Sequence, residues 1–266
     1  MLICGGALIY LGTSGYSFRD WVGPFYPQGI RSAEMLPHYA RSFSAVEINA
    51  TYYRVPPARV FARMAERTPL GFRFTVKLPA VATHERVRDR AALDAFLAAV
   101  APLEEAGKLH GLLAQFPFSF RPGEESHAHL RFLRETLIKR PLFAEFRHES
   151  WARSATFALL ESLGAGFCAV DEPRLPGLFP PIVRPTGPVG YVRFHGRNAG
   201  AWWSGNGSSR YDYLYNDREL AEWAVAIRQL DARSRDTFVF FNNCHAGHAA
   251  QNARRMAELL EIPLPT

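Results

Sequence analysis

Lysine is almost missing from this 266-residue chain: only Lys77, Lys108 and Lys139 stand among 31 basic residues, and arginine carries the net charge of +6. No cluster of five basic residues occurs, which argues against a disordered polybasic tail. Arginine's planar fork suits carboxylate or phosphate recognition, although an arginine-rich composition gives the same balance. Cysteine is scarce too. Cys4, Cys168 and Cys244 lie far apart, which excludes a zinc ribbon and a disulfide framework and fits a reducing, cytoplasmic setting. No stretch approaches the ~20 apolar residues of a membrane helix, so no membrane partner is expected. The start, "MLICGGALIYLG", is apolar but has no basic lead, and it runs directly into a strand pattern; it reads as structure rather than a signal peptide. Neither a Gly-x-Gly-x-x-Gly nor a Walker motif is present, which counts against a nucleotide cofactor on an open sheet.

What is present is a repeated unit. Short apolar runs appear at 8–12, 43–49, 72–77, 112–116, 142–147, 166–170, 190–195 and 237–241. Helical patterns lie between them: 32–43, with Ser32 as a cap and Pro37 as a kink or break, then 57–68, 89–107, 124–139, 151–163, 217–233 and 246–260. Only the sixth run lacks a following helix, since "EPRLPGLFPPIVRPTGP" is rich in proline. Strand, loop and helix repeated eight times imply parallel strands with right-handed crossovers. The length favours one α/β domain over 1–266, a (β/α)₈ TIM-type barrel with long βα loops; an open doubly wound sheet is the runner-up.

Each apolar run ends abruptly in polar residues. "TFVFFNNCHAGHAAQNA" passes from a dry strand to amides, a thiol and an imidazole within one step. Ser14, Glu47 with Asn49, Lys77, Gln115, Glu145 with Arg147, Asp171, Arg193 with His195, and Asn242, Asn243 and His245 occupy the eight ends. In a parallel barrel these ends share one mouth. Glu47, Glu145 and His195 are the acid–base candidates, and the alternative for the carboxylates is an ion pair with Arg147, Arg193 or Lys77. The cations, with Arg54 nearby and a glycine turn at 12–15, point to an anion. Asn49, Tyr53, Gln115 and the two asparagines would orient it. Trp21, Tyr52 and Trp202 are candidates for stacking on a base or sugar ring, against the alternative of plugging the mouth. "GRNAGAWWSGNGSSRYDY" has the composition of a mobile flap. His84, His148, His195 and His245 show no ligand-type spacing, so a divalent metal is not favoured and any cofactor stays unassigned. Cys244 beside His245 in an irregular loop is a weak nucleophile pair.

The segments "GTSGYSFRDWVGPFYP", "VEINATYYRVP", "FTVKLPAVATHE", "LLAQFPFSF", "AEFRHESW", "YVRFHGRN" and "FFNNCHAGHAAQNA" together resemble the YecE-like family, a domain of unknown function, over nearly the whole chain. Tyr16 stands where relatives usually have tryptophan. The resemblance implies a TIM-type barrel and no established reaction. Its fold-level analogy is to barrel enzymes of the endonuclease-four and xylose-isomerase types, whose histidine-rich ligand set is not evident here. Three functions stay open: an enzyme acting on a phosphate-bearing substrate such as a nucleotide, phosphorylated metabolite or nucleic acid; a non-catalytic binder of nucleic acid or metabolite; and a sugar isomerase or hydrolase.

Overall fold

A computed structural model describes residues 8–204 and 207–265. Its strands are β1 (Leu8–Ser14), β2 (Ala45–Ile48), β3 (Arg73–Lys77), β4 (Leu109–Gln115), β5 (Leu142–Glu145), β6 (Gly166–Asp171), β7 (Val189–Phe194) and β8 (Asp236–Phe241). All eight coincide with the apolar runs. They pair in parallel in sequence order, and β8 returns to β1 through six residue pairs, so the sheet closes into a (β/α)₈ barrel. The open sheet is excluded. Residues 1–7, which include Cys4 and the start of the apolar leader, lie outside the described residues.

Crossover helices run Ser32–Tyr39, Ala58–Glu66, Arg90–Glu105, Glu124–Thr136, Ser154–Leu163 and Asp217–Asp231, and His248–Leu260 follows β8. Each buries a stripe against the barrel, as Leu93, Phe96, Val100 and Leu103 do at three- and four-residue spacing. Ser32 is the first helical residue and not the cap: Arg31 takes that place, donating its backbone N–H to Glu34 Oε2 at 3.1 Å. Pro37 stays inside its helix without breaking it. Its missing N–H would leave the Ala33 carbonyl unpaired, and Arg67 donates to that oxygen at 2.7 Å instead. No helix joins β6 to β7 among the described residues. Thr186 ties that proline-rich crossover down, accepting from Phe167 N at 2.7 Å and donating to Ala165 O at 2.8 Å.

The first crossover also explains Gly12. Tyr39 sends its hydroxyl to the β1–β2 seam, accepting from Thr13 N at 2.8 Å and reaching Ala45 O at 3.0 Å. A Cβ on Gly12 would meet that carbonyl at 1.9 Å, so no other residue fits.

Side chains alternate between barrel interior and helix layer. Tyr10, Phe143, Tyr191 and Phe238 form an aromatic cluster inside, with Phe143 and Tyr191 centroids 4.5 Å apart and Tyr10 stacked on Phe238 at 5.1 Å. Above this cluster, toward the strand ends, the interior turns polar.

Candidate functional site

The polar layer begins with charges sealed inside the barrel. Arg193 of β7 donates from one terminal nitrogen to Glu47 Oε1 of β2 and from the other to Glu145 Oε2 of β5, both at 2.6 Å. Both carboxylates are fully buried, and Arg193 is 1% exposed. Arg147 continues the chain, donating through Nε to Glu145 Oε1 at 2.6 Å and through NH1 to Glu172 Oε2 at 2.9 Å. Burial alone would raise the Glu145 carboxyl, yet Arg193 and Arg147 hold it well below the ordinary range. Burial also works against the Arg147 charge, but Glu145 and Glu172 more than offset it and its pKa rises. Glu172 behaves oppositely: burial outweighs Arg147 and lifts it to about 7.

His195 completes this plate. Its Nε2 lies 3.2 Å from Glu145 Oε1, while Asn242 Nδ2 stands 3.1 Å from Nδ1. Burial, then Arg147, lower its pKa to about 3. The ring is therefore neutral at physiological pH. Asn242 donates to Nδ1, which leaves the ring proton on Nε2; that atom lies close to Glu145 Oε1 but makes no hydrogen bond among the described residues.

Over the plate opens a cavity of about 340 Å³, within the range of small-ligand sites. Lys77, Arg147 and Arg210 line it, and among the described residues no aspartate or glutamate does. Each cation lies against a ring: Lys77 Nζ is 4.2 Å from the Tyr52 centroid, and Arg147 and Arg210 are 5.8 and 5.6 Å from Trp202. Lys77 Nζ donates to Gln115 Oε1 at 2.7 Å, and Gln115 Nε2 donates to Phe116 O at 2.8 Å, which fixes the amide with its oxygen toward the amine. Burial, then Arg193, lower Lys77 to about 7. Burial, then Lys77 and Arg147, lower His84 on the same wall to about 4. The loop after β7 supplies Trp202, Trp203, Arg210 and Tyr211 to the far wall; residues 205 and 206 of the segment read as a flap lie outside the described residues.

A family model described as "Protein of unknown function DUF72" matches residues 10–265. The chain belongs to the DUF72 family. It is similar to UPF0759 protein YunF of Bacillus subtilis strain 168, with 33% identity over 272 residues covering 96% of this chain and 95% of that protein. UPF0759 protein YecE of Escherichia coli K12 matches at 34% over 119 residues, 44% of this chain and 40% of that one. The crystal structure of a DUF72 family protein from Thermotoga maritima MSB8 superposes with a TM-score of 0.90 at 42% identity, covering 96% and 99% of the two chains. One from Enterococcus faecalis V583 gives 0.86 at 28%, covering 96% of each.

In this DUF72 barrel the residues singled out in the sequence divide into three groups. Lys77, Gln115, Arg147, Tyr52, Tyr53 and Trp202 line the cavity. Glu47, Glu145, Arg193, His195, Asn242 and Ser14, whose Oγ lies 3.3 Å from Arg193, form or edge the sealed plate beneath it. The others lie elsewhere. Trp21 is fully buried among Phe18, Phe25 and Tyr26 and donates to Cys244 O at 2.6 Å, so neither ring face is free to stack on a ligand. Asn243 is buried on the helix side, donating to Tyr213 O and Asn252 Oδ1 at 2.8 Å each. His245 faces Asp212 at 3.7 Å, and Arg54 is exposed. Asn49 keeps a buried Oδ1 with no hydrogen-bond partner among the described residues. Asp171 turns outward to Arg197 and Trp223. Glu172 and Arg210 were not among the residues picked out from the sequence. Among the described residues, no group of three or more His, Cys, Asp or Glu side chains is placed to hold a metal ion, and no helix is long and apolar enough to cross a membrane.

Proposed function

We propose that the barrel mouth binds a small phosphate-bearing molecule that also presents a flat or ring-shaped part. One observation carries this reading: a cavity of about 340 Å³ is lined by Lys77, Arg147 and Arg210, with no carboxylate among the described residues of its walls. Arg147 spends Nε and NH1 on Glu145 and Glu172, and its NH2 lies 3.4 Å from His195 Nδ1, a neutral partner. Charge-assisted bonds from such groups suit phosphate oxygens, while Tyr52 and Trp203, a half-exposed ring on the cavity wall, suit the ring; Trp202 is buried beneath Arg147 and Arg210 and backs them. Glu47 and Glu145 act here as positioning groups that hold two guanidiniums in place. They support the carboxylate-pair chemistry of a sugar hydrolase poorly, because the Arg193 guanidinium bridges them and neither faces an open pocket. The free thiols Cys168 and Cys244 are in keeping with a reducing, cytoplasmic setting.

Calorimetric titration of nucleoside monophosphates against the matching nucleosides tests this. The phosphate should improve affinity by about tenfold or more, the scale of one charge-assisted hydrogen bond. Equal affinities would overturn the reading.

A further inference from the structure

We propose that Lys77 is an amine nucleophile that condenses with the carbonyl of a phosphorylated aldehyde or ketone held in this cavity. The inference rests on the anion reading for the substrate's phosphate and adds the reacting group. The three lysines of the chain occupy contrasting sites. Lys108 Nζ donates to Ala65 O, Thr68 O and Thr68 Oγ1 at 2.6, 2.7 and 3.0 Å, a set of acceptors suited to an ammonium with every proton engaged. Lys139 is exposed. Of the three, Lys77 lines the cavity, and among the described residues its single hydrogen-bond partner is the neutral amide oxygen of Gln115.

An ammonium at that position lacks the carboxylate that would favour it. Glu145 and Glu47 lie in the same layer, but their nearest partners are Arg193 and Arg147, whose positive charges repel a third cation. Together with burial this brings the amine to about 7, so about half of it is uncharged at neutral pH. Lysine activated by desolvation and a neighbouring cation is a recognised route to imine chemistry. Tyr52, against which Nζ rests at 4.2 Å, limits the stem on one side and leaves the cavity as the open direction.

The step balances without a co-reactant. The nitrogen lone pair attacks the carbonyl carbon, and the C=O π pair moves to oxygen. The two amine protons pass to that oxygen, which leaves as water, and a C=N bond remains. Arg147 and Arg210, which line the same cavity, hold the phosphate.

The experiment uses the full chain with glyceraldehyde 3-phosphate and cyanoborohydride near pH 7, read by intact mass and peptide mapping. Lys77 should be trapped more than about tenfold faster than the exposed Lys139, the difference expected when about half of the Lys77 amine is neutral. Competing sulfate should slow Lys77 and leave Lys139 alone. Lys77→Ala should lose trapping and weaken sulfate binding; Lys77→Arg should regain part of the sulfate affinity and none of the trapping. Trapping at Lys77 no faster than at Lys139 overturns the proposal without reference to any variant. If sulfate fails to bind but unphosphorylated glyceraldehyde is trapped selectively at Lys77, the nucleophile stands and the phosphate is removed from its substrate class.

Discussion

Tyr191 donates its hydroxyl proton to Glu47 Oε2 across 2.6 Å, linking β7 to β2 through the inside of the barrel. The same hydroxyl meets Thr75 Oγ1 of β3 at 2.8 Å, and because it donates to Glu47 it must accept from Thr75. Three strands are tied by one phenol, immediately under the buried charges. Tyr191→Phe leaves that carboxylate oxygen without its donor, at a cost of about 1–3 kcal/mol. Chemical denaturation checks this, and an unchanged midpoint would show that Glu47 finds another donor.

Arg193→Ala removes the guanidinium that both Glu47 and Glu145 share. Two buried carboxylates then face each other with Arg147 as the one remaining guanidinium partner, and breaking such a pair typically costs about 3–5 kcal/mol. Residue type alone suggests that Arg193 holds a ligand. Its burial makes stability the first property to move, measured as the unfolding midpoint in denaturant. Arg193→Lys should rescue poorly, since a single ammonium cannot bridge both acids in fork geometry. A folded Ala variant with wild-type stability would contradict the structural role.

Arg210 offers the complementary case. It lines the cavity and lies against Trp202, with no carboxylate partner among its described contacts. Arg210→Ala should weaken sulfate or phosphate binding by about 1.5–3 kcal/mol and leave unfolding nearly unchanged. Calorimetry and a thermal melt on the same sample separate the two effects; a loss of stability without loss of affinity would remove Arg210 from the site.

The barrel was legible because buried parallel strands read as apolar runs and polar residues follow each run. What was lost was the side on which each polar residue points. Strand alternation would have found it. Tyr191 and Arg193 of β7 and His195 just past its end share one parity and all face inward. Cys168 lies 3.8 Å from Glu145 inside the barrel, so on β6 the inward parity continues to Glu172 and passes over Asp171. The same rule keeps Asn242, beside His195, and sends Asn243 to the helix layer. Arg210 was out of reach for another reason: it enters from a loop whose path over the mouth leaves no periodic trace.

The pH dependence of anion binding follows from Lys77. Burial, then Arg193, hold its pKa near 7 in the free protein. A bound dianion favours the ammonium and lifts that value, so binding takes up a proton once the pH exceeds about 7. Affinity for sulfate, which keeps its charge throughout, should be level below about pH 7 and fall above it, because ionisation of Glu172, also near 7 and bonded to Arg147, works in the same direction as loss of the Lys77 proton. Titration between about pH 6 and 9 reads this directly. Affinity that rises with pH would mean that the neutral amine is the binding form.

Nucleic acid is the remaining large alternative, and the net charge of +6 invites it. A flipped or single-stranded nucleotide would place its phosphate on Arg147 and Arg210 and its base on Trp203 or Tyr52. An extended strand needs more: a run of cations tracking successive phosphates. Many of the remaining arginines are engaged by acids on the outer surface, such as Arg140 with Glu104, Arg255 with Asp217 and Arg88 with Glu125. Those pairs balance part of the surface charge. The expected outcome is a shallow salt slope and an affinity that stays flat as oligonucleotides lengthen from one to about ten residues, because only the terminal phosphate is held. Fluorescence anisotropy at several salt concentrations measures both. Affinity that climbs with length, together with a slope of several counterions released, would place the polymer and not the metabolite in this mouth.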